Sequence, residues 1–170
     1  MPTSTDNQTL TAAAIHCRDM RGRDIADVVA MAGRLAAQFG EAADLTADFL
    51  RREAFSSTAL VKILVAEADG VLVGYAALLP TMQLQSGMRG MELHHLHVDE
   101  KYRGIGIGRS LLTASLERAR GLGCRFVTLG ARIDTGRSRN FYERWGFEPV
   151  DTAGPDYRFT FGNEAGRLAG

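Results

Sequence analysis

The chain is short of the residues that stabilise small or extracellular folds. Its 170 residues include two cysteines, four prolines and one tryptophan. Cys17 and Cys124 stand far apart with no C-x-x-C between them, which argues against a disulfide framework or a cysteine zinc site. There is no excess of either charge: 20 Lys+Arg balance 20 Asp+Glu. Without a basic field, nothing global draws the chain onto nucleic acid or an anionic membrane. Long apolar runs are missing too. The most apolar stretch, 59–80, is broken by Lys62, Glu67, Asp69 and Gly70, well short of the ~18 apolar residues of a membrane helix. The opening MPTSTDNQTL has neither a basic segment nor an apolar core and does not read as a signal peptide. A reduced, cytoplasmic protein is the expectation.

What is present is ordinary globular composition, 45% hydrophobic and 24% charged, enough for one core without staples. Residues 1–8 read as a disordered tail and 9–170 as one domain. Asp24 is placed to cap a helix running to about Gln38, with Ile25, Val28, Val29, Ala32, Leu35, Ala36 and Phe39 on one face and Gly40 as a stop. Residues 46–55 read as a second helix. Two β-rich runs, 60–66 and 71–79, flank Asp69-Gly70, the signature of a hairpin. Residues 83–90 read as a loop and 91–98 as a third strand. A glycine-rich loop at 103–108 opens a helix with Leu111, Leu112, Leu116, Ala119 and Leu122 on one side. Then follow a strand at 125–131, a short helix at 138–145 and a closing strand pair at 147–150 and 157–161. The whole predicts an α+β fold with a central, mixed, mostly antiparallel sheet flanked by helices.

Two local irregularities point to chemistry. Along M-E-L-H-H-L-H-V the apolar positions Met91 and Leu93 share one phase, and Leu96 and Val98 the other. One inserted residue, a β-bulge, produces that slip, and bulges gather beside active sites; a strand buried on both faces is the alternative. The second irregularity is Arg103-Gly104-Ile105-Gly106-Ile107-Gly108 between a strand and a helix. Glycines admit close backbone approach, and the unpaired first amides of a helix attract phosphate. A Walker loop would need Gly-Lys-Ser/Thr where Gly108 is followed by Arg109-Ser110. A dinucleotide fingerprint would need glycine at 109 and an acid near 129–131. A loop for pyrophosphate without magnesium remains, beside the plainer reading of a flexible connection.

In combination these residues resemble the GNAT superfamily of N-acetyltransferases. Arg103-x-x-Gly106-x-Gly108 matches its Gln/Arg-x-x-Gly-x-Gly/Ala motif, preceded by L-H-V-D-E-K-Y-R. N-F-Y-E-R-W-G-F, from Asn140 to Phe147, is similar to its Phe-Tyr-x-x-x-Gly-Phe signature. Within it, F-L-R-R-E-A-F, L-V-A-E, V-G-Y-A and S-R-N-F-Y resemble the diamine acetyltransferases. That subgroup carries an acid at the position of His94; here Glu92 stands two residues earlier. The resemblance implies acetyl-CoA as co-substrate and a primary amine of a small molecule as acceptor, by direct transfer in a ternary complex. A non-catalytic coenzyme-binding protein and a peptide or protein acetyltransferase are the alternatives.

The residue roles follow from that resemblance. The backbone of Leu96, His97 and Val98 would hold the pantetheine arm. Gly104, Ile105, Gly106, Ile107 and Gly108 would cradle the pyrophosphate, with Arg103 and Arg109 adding charge. Thr135 stands where the family has a coenzyme-binding asparagine. Tyr142 matches the general acid that protonates the departing thiolate, and Glu92 or His94 would serve as general base. His95 and His97 are spaced to face one side of a strand, but no metal is implied. A homodimer is expected by analogy.

Overall fold

Five strands form one sheet in chain order: β1 (Ile15–Asp19), β2 (Lys62–Ala68), β3 (Val71–Gln83), β4 (Met88–Val98) and β5 (Phe126–Leu129). The computed structural model describes residues 15–129 and 136–149. The first four strands pair antiparallel; β5 joins β4 in parallel, which requires the crossover supplied by helix α3 (Ile107–Gly121). Two further helices, α1 (Ile25–Gln38) and α2 (Ala47–Phe55), lie between β1 and β2 in the chain, and α4 (Gly136–Glu143) follows β5. The chain divides into two compact units, 1–131 and 132–170. The first contains the sheet and α1–α3, and the second contains α4.

Local chemistry sets most of these elements. Asp69 and Gly70 both take positive φ, 50° and 78°, as a two-residue hairpin turn demands. Thr46 caps α2, its hydroxyl accepting from the Phe49 amide at 3.1 Å. Asp24 occupies the cap position of α1 but does not cap it with its side chain. Its carboxylate instead accepts from Arg18 Nη1 at 2.6 Å and Nη2 at 3.1 Å, and from the Arg21 amide at 2.7 Å. A buried guanidinium outcompetes the helix amides for that carboxylate because its bonds are charge-assisted. Arg18 also donates to Glu67 on β2, which locks the edge strand β1 to its neighbour.

The sheet buries both faces. Ile63, Val65, Tyr75 and Ala77 pack with Ile25, Val28, Met31 and Ala32 of α1 and Leu50 of α2. The alternate positions Leu64, Ala66, Ala76 and Leu78 are buried on the opposite face, where α3 lies across the strands and Leu111 comes up against Gly74.

Three expectations change. Residues 83–90 are not one open loop: Thr81, Met82 and Gln83 pair with Gly90, Arg89 and Met88, leaving a 3-10 turn at Leu84–Ser86 closed by Gly87 at φ 60°. Backbone pairing there needs no apolar side chain, so polarity misleads. Phe147, Glu148 and Pro149 carry no strand, and the rest of the proposed closing pair lies outside the described residues, as does the 1–8 tail. β1 has no counterpart in the sequence reading at all.

Candidate functional site

The phase slip in β4 is a bulge. Ala77 pairs with His95 and Leu78 with Leu93, so one step on β3 spans two on β4 and His94 is the inserted residue. Because of it, all four apolar side chains face the α3 side: Met91 and Leu93 before the bulge, then Leu96 and Val98, whose partners are Ala76 and Gly74. Glu92, His95 and His97, paired with Leu79, Ala77 and Tyr75, face the other side.

The same shift decides which backbone groups are free. The Asp99 amide donates to Val73 O at 3.0 Å. Alternation along an antiparallel ladder then turns the N–H and C=O of His97 and His95 toward β3, and those of Val98 and Leu96 toward the opposite edge. The Val98 carbonyl confirms the direction, accepting from Arg103 Nε at 2.9 Å. Parallel pairing with β5 covers only Gly90 to Leu93. Past that point no described strand meets the outward amides of Leu96 and Val98. The amide and carbonyl of His97 point into the β3 ladder.

Five residues beyond Val98 the glycine loop begins. A 3-10 turn, Glu100–Tyr102, leads through Arg103 to Gly104 at φ 84° and Gly106 at φ 96°. Gly106 is the N-cap of α3 and offers no side-chain cap, so the first-turn amides lack intrahelical partners. Nothing lies within 4 Å of where a Cβ at Gly104 or Gly106 would stand. Ile107 anchors the loop, 1% exposed. These features fit an anionic group: open backbone, outward amides and a positive helix end.

A polar row runs along the other face of β4. His94 Nδ1 is hydrogen-bonded to Glu92 Oε1 at 3.0 Å; a carboxylate only accepts, so Nδ1 is the donor and Nε2 is left outside this bond. The His94 ring stacks on His95 at 4.6 Å. His95 Nδ1 and the Tyr75 hydroxyl are hydrogen-bonded at 2.8 Å. Burial holds that phenol protonated by raising its pKa. Burial first, then the like charges of His94 and His97, push His95 down to about 4. Sequence reasoning missed Tyr75, since its partnership with His95 spans two strands.

At the end of the row, Nε2 of His97 donates to Asp99 Oδ1 at 3.1 Å. Arg34 of α1 grips the same carboxylate, Nε to Oδ1 at 2.8 Å and Nη2 to Oδ2 at 3.0 Å. Burial alone would raise the Asp99 pKa, yet the Arg34 and His97 hydrogen bonds hold it below the usual carboxylate value. His97 is pushed down by burial, with Asp99 acting in opposition. Its Nδ1 is buried with no partner, a loss of roughly 1–3 kcal/mol for an unsatisfied polar atom. Among the described residues no group of three or more His, Cys, Asp or Glu is arranged to hold a metal.

In the second unit, Tyr142 sits on α4 with edge-on ring contacts to Phe141 and Phe147, and burial raises its phenol pKa. Thr135 lies outside the described residues. No helix among the described residues is long and apolar enough to cross a membrane.

Comparison with known proteins agrees with this architecture. The pattern described as the Acetyltransferase (GNAT) family matches residues 30–147. A probable N-acetyltransferase family 8 member 5 from Mus musculus is 33% identical over 84 residues, 49% of this chain and 37% of that protein. An L-methionine sulfoximine/L-methionine sulfone acetyltransferase from Pseudomonas aeruginosa is 36% identical over 87 residues, 51% of this chain and 50% of its own. The alignments thus span half or less of these two relatives. Among solved structures, ribosomal-protein-alanine N-acetyltransferase from Brucella melitensis superposes with a TM-score of 0.72 at 22% identity, over 86% of this chain and 99% of its own. With the family pattern covering most of its length, the chain belongs to the GNAT family of acetyltransferases.

Proposed function

We propose that the chain is an N-acetyltransferase that moves the acetyl group of acetyl-CoA directly to a primary amine of a small molecule in a ternary complex. The observation that carries this reading is the outward pair of amides at Leu96 and Val98, leading through one short turn to an uncapped, glycine-rich helix start. Acetyl-CoA supplies the activated thioester. The Leu96 N–H would donate to its carbonyl oxygen, stabilising developing negative charge, and the Val98 N–H would hold the arm. The amides of residues 104–109 would hold the pyrophosphate, with Arg103 and Arg109 adding charge.

The acceptor amine must lose a proton to attack. His94 suits the task, because its Nδ1 is engaged by Glu92 and its Nε2 would be the atom that takes the proton. Tyr142 would give its proton to the leaving thiolate, a role that rests on its place in N-F-Y-E-R-W-G-F. A small amine acceptor is supported by the Pseudomonas aeruginosa relative, whose name specifies an amino-acid analogue. We also propose a cytoplasmic homodimer, on family analogy. Thiol release from acetyl-CoA, measured against diamines, amino acids, aminoglycosides and short peptides, tests the reading. Turnover with a small amine is expected. Turnover with peptides alone would move the acceptor to proteins, and coenzyme binding without turnover would make this a non-catalytic binder.

A further inference from the structure

We propose that Arg34, Asp99 and His97 form a positioning clamp that sets the end of β4 and the entry to the glycine loop in the geometry that receives the coenzyme; this rests on the acetyl-CoA reading above. Asp99 is where four elements meet. Its amide extends the β3–β4 ladder to Val73, and its carbonyl accepts from the Tyr102 amide at 2.9 Å, opening the turn that leads to Arg103. Its carboxylate takes both the Arg34 fork from α1 and the His97 imidazole from β4. The residue immediately before it is Val98, which presents one of the outward amides. The Val98 carbonyl in turn holds Arg103, the first residue of the loop.

The cost of this arrangement argues for a role. A residue at 97 chosen for packing alone would be aliphatic, whereas His97 leaves a buried nitrogen without a partner to make one bond to Asp99. Arg34 and Asp99 lie 65 residues apart, so the fork ties α1 to a loop it does not otherwise continue into. None of the three side chains need touch the coenzyme. They act through the backbone at 96, 98 and 103, which makes them positioning residues.

The test is the Kd for CoA, titrated into full-length protein at a temperature where each variant is fully folded. Asp99→Asn keeps the size but breaks the charged fork, and Arg34→Ala removes it from the other side. Each is expected to weaken CoA about tenfold. The double variant should weaken it by little more than either single, because both remove one interaction. His97→Gln, which retains a donor, should bind CoA within about twofold of wild type, and His97→Leu should not. Arg118→Ala, which breaks an exposed pair with Asp19 at the far end of α3, should leave Kd unchanged. If Asp99→Asn fails to fold, Arg34→Ala carries the comparison, since Arg34 is half exposed. Asp99→Asn and Arg34→Ala each binding within twofold of wild type, or their effects multiplying in the double variant, overturn the clamp. Wild-type protein that binds no CoA overturns the acetyl-CoA reading and the clamp with it.

Discussion

Gly74→Ala is the substitution whose consequence can be worked most directly from the structure. A Cβ at position 74 would stand 2.6 Å from the His97 carbonyl oxygen and 3.2 Å from Leu111 Cδ1. Ordinary contact begins near 3.4 Å, so β3 and β4 must separate by about 0.8 Å where the ladder carries the outward amides. The obstacle is backbone, which cannot rotate aside, so overpacking is expected to cost about 2 kcal/mol. For a chain of this size that corresponds to a fall in Tm of about 4–8 °C. Gly33→Ala is the control, because nothing lies within 4 Å of its Cβ and it sits inside α1. Alanine there should raise Tm, because it adds up to about 1 kcal/mol of stability through helix propensity. Thermal melts by circular dichroism read both variants, and a CoA titration should show weakened binding for Gly74→Ala alone. A Gly74→Ala melt within 1 °C of wild type would refute the close-approach argument.

Three further outcomes are expected. Arg18→Ala should destabilise by about 3–5 kcal/mol, read from urea midpoints, because it strands the buried Asp24 carboxylate; a loss below about 1 kcal/mol would show that the cluster is not structural. His95, held near 4 when folded against an ordinary 6.5, is protonated first in the unfolded chain. Its contribution is therefore whole above pH 6.5 and is lost as pH falls from 6.5 toward 4, by up to ~3 kcal/mol. His95→Gln should flatten stability against pH in that window, and an unchanged slope would contradict the assignment. Tyr142→Phe should lower kcat for thiol release at least ~100-fold at saturating substrates; wild-type turnover would remove Tyr142 from the chemistry.

Where the sequence was legible, the controlling signal was local. The Asp69-Gly70 turn and the glycines at 104 and 106 each fix backbone through one or two residues. The bulge at His94 was readable because a phase slip of apolar residues has few other causes. β1 was not readable: Ile15–Asp19 is half buried and exists by pairing with β2, some 50 residues away. The outer hairpin of β3 and β4 escaped for a related reason, since Met82 and Arg89 pair through backbone while both side chains stay in water. At the site, Glu92, His94 and the loop stood out by residue type and spacing. Tyr75, Arg34 and Asp99 did not, because each matters through a partner on another element. Asp24 shows the converse error, a cap motif whose carboxylate was claimed by Arg18.

In the proposed complex the outward edge of β4 and the start of α3 together receive acetyl-CoA. An amide-resolved NMR titration with CoA tests it residue by residue. The largest shifts are expected at the amides of Leu96, Val98 and Gly104 to Arg109, with His95 and His97, bonded into β3, moving less. Binding that leaves those amides unmoved, or that shifts residues elsewhere on the sheet instead, would contradict it.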